Sequence, residues 1–305
     1  MAESYEVVEL KAETSGERLD KYLAACVDYL SRAQIQALIR QGLVTVNGGP
    51  AKASLRLEGG EVVRLLVPPL ETPAEPEPET IPLQVLYEDE HVAVVDKPAG
   101  MVVHPAFGHQ SGTLVNAVLA RWPQIAEFAE VGRAGIVHRL DKDTSGVILI
   151  AKTPQALNSL RAQFKARQVQ KRYLALVEGI PGTSEGVINA PIGRDPKRRK
   201  QMAVLREGRE AITEFRLLEV FTAHSLLEAW PKTGRTHQIR VHLAFIGHPV
   251  VGDTVYGRRK QTLKLSRHFL HAASVTFTLP GTDRRITVES PLPSTLQQIL
   301  DRLRY

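Results

Sequence analysis

Residues 135–146 read Gly-Ile-Val-His-Arg-Leu-Asp-Lys-Asp-Thr-Ser-Gly, and they hold the densest set of reactive side chains in the chain. Four formal charges, Arg139, Asp141, Lys142 and Asp143, fall within five residues. The apolar run 147–151 follows and reads as a buried strand. A charged loop tied to a buried strand presents a carboxylate at a cleft wall, where it can serve as nucleophile or base. The same residue types also suit a surface turn with ion pairs. Paired Asp141 and Asp143 would suit glycoside hydrolysis, but cations rather than sugar-stacking tryptophans flank them, and the chain has two Trp. His237, His242 and His248 do not fall on one helix face and have no acidic ligand between them, so no metal site is expected. The single cysteine, Cys26, excludes a disulfide framework or a cysteine cluster.

The elements that must carry these groups begin with a small module at 16–68. Leu19, Tyr22, Leu23 and Cys26 form a helical stripe, with Cys26 expected in the core. Ser31 caps a second helix that carries Arg32, Gln36 and Arg40 and turns Ile35, Leu38 and Ile39 inward. Asn47-Gly48 signals a hairpin. Residues 69–80, rich in Pro and Glu, read as an extended acidic linker. The large domain, 81–305, opens with two strands around Val85 and Val94. Asn116 sits unexplained within a helix at 112–121. Thr153-Pro154 starts a helix with Leu157, Leu160 and Phe164 inward. Lys171 and Arg172 open a strand through Tyr173, Ala175 and Val177. Residues 193–200 form a basic loop, including Lys197, Arg198, Arg199 and Lys200, that favours phosphate contact over plain solvation; 258–260 is a second, weaker cluster. Thr236 is positioned to cap a helix to Ile246 that carries His237 and Arg240 one turn apart. A C-terminal hairpin and amphipathic helix close the chain.

The net charge of +6 favours a polyanionic partner. No run approaches 18 apolar residues, and residues 1–11 lack an apolar signal core. A cytoplasmic monomer with no membrane partner is the expectation.

Residues 138–146 match throughout the His-Arg-Leu-Asp-Lys-Asp-Thr-Ser/Thr-Gly signature of the RluA family of pseudouridine synthases, which the chain resembles along nearly its whole length. Residues 173–179 and 233–242 look like two further motifs of that family, 97–105 like its Lys-Pro-x-Gly turn and Val-His-Pro, and 268–272 like its last motif. Residues 16–68 resemble an S4 RNA-binding domain through Arg18-Leu19-Asp20, Ser31-Arg32 and residues 44–48. The resemblance implies an α+β fold: a long mixed, mainly antiparallel sheet bearing helices, behind a small α+β S4-like module. It implies that Asp141 is catalytic, that Tyr173 stacks on the uracil, and that Arg240 pairs with the carboxylate. Arg139, Arg235 and His138 would support the site or meet RNA, as would Arg32 and Arg40 in the first module. No cofactor is implied, because breaking the N-glycosidic bond, turning the base and joining C5 to the ribose involves no redox change. Asp141 is left with two mechanisms, attack on the sugar or removal of a proton at C2′. The order of modules and residues 102–152 look most like the members that act on helix 69 of large-subunit ribosomal RNA. The alternatives are another ribosomal or transfer RNA site, or a non-catalytic RNA-binding or ribosome-assembly protein.

Overall fold

The computed structural model describes residues 5–13, 15–27, 29–68, 75–106, 109–198, 201–258, 260–263 and 265–304. The chain forms two compact units that divide between residues 74 and 75.

The first unit holds β1 (Glu6–Lys11), α1 (Leu19–Cys26), α2 (Arg32–Arg40), β2 (Val44–Val46), β3 (Gly49–Pro50) and β4 (Val62–Val67), with sheet order β1-β4-β2-β3. Leu19, Leu23, Ile35, Val63 and Leu65 are buried between helices and sheet. Ser31 caps α2 as expected, in a reciprocal box with Gln34. Cys26 is not a core residue: it is the last residue of α1 and is exposed. Val27, where the chain has already left the helix, fills the core position instead.

In the second unit, β5 (Gln84–Glu88) and β6 (Val92–Lys97) precede α3 (Leu114–Arg121), β7 (Ser145–Ala151) and α4 (Pro154–Lys165). Then come β8 (Gln170–Glu178), β9 (Glu185–Asn189), β10 (Ile192–Arg194), β11 (Met202–Val204), β12 (Ile212–Val220) and β13 (His224–Pro231). Helix α5 (Gln238–Phe245), β14 (Leu270–Thr278), β15 (Arg285–Glu289) and α6 (Ser294–Arg304) complete it. Eight strands run in the order β5-β6-β7-β14-β8-β13-β12-β9, and β15 also pairs with β14. Strands β7 and β14 are parallel where they meet, and the other pairings described in this sheet are antiparallel. The fold is therefore α+β, with a mixed and mainly antiparallel sheet. Strand β7 is buried along its whole length, which is why it reads as an unbroken apolar run rather than an alternating one.

Part of the acidic segment is tied to the second unit. Asn116 Nδ2 donates to the Glu77 carbonyl at 2.8 Å, the Glu79 N–H donates to the Asn116 carbonyl at 3.0 Å, and the Gly112 N–H donates to the Glu79 carboxylate at 2.9 Å. Asn116 also forms a capping box with Thr113 at the start of α3.

Thr236 does not cap α5. His237 holds the cap position in the left-handed region, at φ 56° and ψ 20°, with no side-chain cap bond. The Gln238 side chain takes over the turn's polar groups. Its Oε1 accepts from Thr233 Oγ1 at 2.7 Å and from the Arg235 N–H at 3.0 Å, while its Nε2 donates to the Ile212 carbonyl and Thr213 Oγ1, both at 2.9 Å.

Gly146 follows the signature loop with φ +116°, and a Cβ there would lie 2.1 Å from the Ala272 carbonyl oxygen. Only glycine fits both the backbone and the close approach of β14. Gly146→Ala is expected to cost about 1–3 kcal/mol from backbone strain alone, with the clash against the Ala272 carbonyl added to it. Chemical denaturation checks this; a loss below about 1 kcal/mol, the average point-mutation effect, would contradict it.

Candidate active site

Asp141 sits on a loop whose backbone is fastened at several points. Lys97, fully buried at the end of β6, donates from Nζ to the carbonyls of Pro98 at 2.7 Å, Met101 at 2.9 Å and Lys142 at 3.0 Å. Burial pushes this ammonium down to about 8, while the three carbonyls favour its charged form. Arg267 donates to the Asp143 carbonyl at 3.0 Å and to Ser145 Oγ at 3.1 Å, and Thr144 Oγ1 meets His268 Nε2 at 2.8 Å. The Thr144 N–H closes the turn on the Asp141 carbonyl at 3.1 Å.

Arg240, on α5, joins two carboxylates. Its Nη1 donates to Asp141 Oδ2 at 2.9 Å, and its Nε and Nη2 form a bidentate pair with Asp253 at 2.7 and 3.0 Å. Asp253 also accepts from the N–H groups of Val255 and Tyr256. Burial alone would raise Asp253 and lower Arg240. The pairing outweighs it: Asp253 is held below the usual carboxylate range and Arg240 above its ordinary value. The Asp253 side chain is 0% exposed and that of Asp141 18%, so of the two carboxylates only Asp141 is open to a ligand. The Arg240 guanidinium also lies over the Tyr256 ring, 5.1 Å from its centroid.

Asp141 is the single carboxylate in the lining of a cleft of about 620 Å³ that also carries nine Arg or Lys side chains. Arg133, Arg167, Lys232 and Arg240 are paired with Glu130, Glu210, Glu214 and Asp253, and the remaining formal charge still favours a polyanion. Tyr173, from β8, lines the same cleft and is buried. Burial, with help from the Asp141 charge, raises its phenol above the ordinary value, so it stays protonated at neutral pH. Among the described residues its hydroxyl has no hydrogen-bond partner.

The other predicted residues divide. Arg139 is exposed and lines the cleft. Arg235 lines it too, and its Nε donates to the Glu210 carbonyl at 2.9 Å. His138 lines it, but its Nε2 accepts the Leu149 N–H at 2.9 Å and its ring stacks on Phe164, so it fastens the loop to β7. Burial pushes this imidazole down to about 3, which keeps it neutral. Of the cations on and after α4, Lys165 and Arg167 line the cleft, Arg167 in an ion pair with Glu210 at 2.6 Å, while Arg161 pairs with Glu130 at 2.6 Å. Lys197 and Arg198 are exposed between β10 and β11 and do not line the cleft; Arg199 and Lys200 lie outside the described residues.

In the first unit, Arg40 is exposed, while Arg32 is drawn to the fully buried Asp20 at 2.8 Å. Arg18 and Gln36 bind the same carboxylate, and these partners, Arg18 foremost, hold Asp20 well below the usual range. Among the described residues no group of three His, Cys, Asp or Glu side chains is placed to hold a metal ion, and no helix is long and apolar enough to cross a membrane. His242 and His248 bind backbone carbonyls, of Ala190 and Glu178.

Sequence reasoning missed Asp253, Tyr256 and Arg267 and gave Lys97 no task. The signal available for Asp253 was a lone acidic residue between Gly252 and Gly257, in a stretch otherwise poor in charge.

Comparison with known proteins places these features. The RNA pseudouridylate synthase family matches over residues 91–245, which hold Asp141, Tyr173 and Arg240, and the S4 domain matches over residues 17–63. The chain belongs to the RNA pseudouridylate synthase family and is an isomerase acting on RNA. It is 51% identical over 297 residues to an RNA pseudouridine synthase of Chloroflexus aurantiacus, covering 97% of this chain and 93% of that one. It is 44% identical over 297 residues to the ribosomal large subunit pseudouridine synthase D of Nitrosomonas europaea, covering 95% and 85% respectively. Among solved structures it is similar to human RNA pseudouridylate synthase domain containing 1, with TM-score 0.58 and 28% identity over 74% of this chain and 96% of that one.

Removing one partner of the buried triad exposes its worth. Asp253→Asn leaves Arg240 with one carboxylate, which is expected to cost about 3–5 kcal/mol, as breaking buried pairs does. Denaturant unfolding measures this; a variant as stable as the parent would show that Asp253 does not anchor Arg240.

Proposed function

We propose that Asp141 carries out the isomerisation of uridine to pseudouridine in large-subunit ribosomal RNA, with Tyr173 stacking on the uracil and Arg240 orienting the carboxylate. The observation that carries this reading is the one accessible carboxylate, at the wall of a cleft otherwise charged positive and beside a buried aromatic ring. Support for the substrate comes from relatives such as the Nitrosomonas protein, whose name specifies the large ribosomal subunit. Helix 69 is the target that the sequence resemblance implies.

The target nucleotide must first leave its stack. Cations along the cleft bind the phosphates on either side, and Arg139, exposed beside the reacting loop, fills the space the base vacates. As the N1–C1′ bond breaks, Asp141 either attacks C1′ to form an ester or takes the proton from C2′ to leave a glycal. The uracil turns so that C5 faces C1′ and the C–C bond forms, which breaks the ester and frees the carboxylate in the first route or returns the proton from Asp141 to C2′ in the second; the C5 proton then leaves while N1 gains one. Tyr173 holds the freed base by its face, which demands no particular base edge and so permits rotation. Its phenol stays protonated, which favours stacking over proton acceptance.

Asp141→Asn keeps the shape and removes the charge. Pseudouridine formation on ribosomal RNA transcripts is expected to fall below detection while RNA binding persists; turnover within about tenfold of the parent, less than a lost catalytic base costs, would refute the role. Tyr173→Phe is expected to retain activity far better than Tyr173→Leu. Equal loss in both would move the role from the ring to the hydroxyl.

The S4 domain adds a tethered second RNA contact. Removing residues 1–74, which spares the bonds of Glu77 and Glu79 to α3, is expected to weaken RNA binding and relax site choice at an unchanged saturated first-turnover rate. The slope of log affinity against log salt should become shallower by about 0.7–0.9 for each phosphate that is no longer neutralised. An unchanged slope and affinity would mean that the first unit does not touch RNA in this reaction.

A further inference from the structure

His237 combines three features that neither the fold nor the Asp141–Arg240 pair accounts for. Its backbone sits in the left-handed region, uncommon for a residue with a Cβ and typical of places where geometry is held for function. Its Nδ1 lies 2.8 Å from the Tyr256 hydroxyl oxygen, with the two rings edge to face. Its Nε2 lies 3.9 Å from Asp141 Oδ1, the carboxylate oxygen that Arg240 does not bind.

The protons in this chain can be assigned by accounting for donors. The Met202 N–H donates to the Tyr256 oxygen at 2.9 Å. Among the described residues that hydroxyl has no other partner than His237, so its own proton goes to His237 Nδ1. The imidazole, kept neutral chiefly by burial, then carries its single proton on Nε2, on the side of Asp141. A separation of 3.9 Å is too long for a direct hydrogen bond. It does leave room for a group that touches both atoms.

We propose that His237 is a substrate-contacting residue, whose Nε2–H donates to a hydroxyl of the target ribose at the point where Asp141 Oδ1 meets the same sugar. This rests on the reading of Asp141 given above. Tyr256 is a positioning residue that selects the His237 tautomer, and it is itself oriented from the backbone of β11. The Arg240 guanidinium over its ring holds it from the other side.

Two substitutions separate contact from scaffolding. Asparagine tolerates the left-handed backbone but is too short to reach, whereas the amide nitrogen of glutamine falls near the place of Nε2. His237→Asn is expected to lower the first-turnover rate on ribosomal RNA transcripts about 10- to 100-fold, as losing a hydrogen bond to a reacting group does. RNA affinity should stay within about twofold, and His237→Gln should recover most of the rate. Nuclear magnetic resonance of the full chain with isotope-labelled histidine, His237 assigned by its absence in His237→Asn, should show the proton on Nε2 in the parent and a mixture of tautomers in Tyr256→Phe. A proton on Nδ1 in the parent overturns the proposal, as does a rate for His237→Asn equal to or above that of His237→Gln. If Asp141→Asn is inactive and His237→Asn retains the parent rate, this inference alone fails. If Asp141→Asn is active, the reading of the site falls and His237 loses its role with it.

Discussion

A buried arginine shared between two carboxylates is the constraint on which the site depends. Arg240 has more donors than one carboxylate can satisfy, and its fork geometry suits a bidentate partner. Asp253 takes that place and, being closed to solvent, neutralises the guanidinium. The remaining Nη1 then fixes one oxygen of Asp141 and leaves the other turned to the cleft. Lysine could not do this, because a point charge cannot hold two carboxylates at defined angles. The three residues come from α5, the loop after it, and the loop before β7, and it is the sheet that brings these to one point. Lys97 does for the backbone of that loop what Arg240 does for its side chain.

Much of the candidate site was legible where uncommon residue types cluster locally. Asp141, Tyr173 and Arg240 each lie in a short stretch of uncommon residue types, and β7 announced itself as an apolar run. What escaped depends on distant contacts. A buried arginine demands a second carboxylate, but nothing in the spacing says that Asp253 supplies it. Lys97 was visible as a turn residue, yet its full burial could not be read, because lysine is almost always exposed and only three converging carbonyls make the exception. Thr236 looked like a helix cap because its residue type fits; the Gln238 side chain, reaching Thr233 and β12, had already taken that work. Cys26 lay on the right stripe, but its helix stopped there. Strands β9 to β12 were not anticipated: β9 to β11 are short, and β12, though long, is only partly buried and carries charges along it.

The charge of the cleft follows from the same economy. The Asp141–Arg240–Asp253 group carries a net formal charge of −1, and on its own it would repel a nucleic acid. The other cations that line the cleft outweigh it in formal charge. At physiological ionic strength charges are screened within roughly 8 Å, so cations that line the cleft itself count for more than the net +6 of the chain. Lys197 and Arg198, exposed between β10 and β11, stand outside that lining.

Strand β14 lies between β7 and β8 in space, although it follows them by about a hundred residues of chain. The centre of the sheet therefore cannot close until residues 270–278 have left the ribosome. During synthesis the first unit, local in its contacts, can form early, while the exposed edges of β7 and β8 wait for their partner. Unpaired apolar edges of this kind invite aggregation, so the longest-lived hazard in the making of this enzyme falls at the strands that border its candidate site. The strand that removes the hazard also places Ala272 against Gly146 and His271 against Ser145, so completion of the fold and assembly of the candidate site become a single late event.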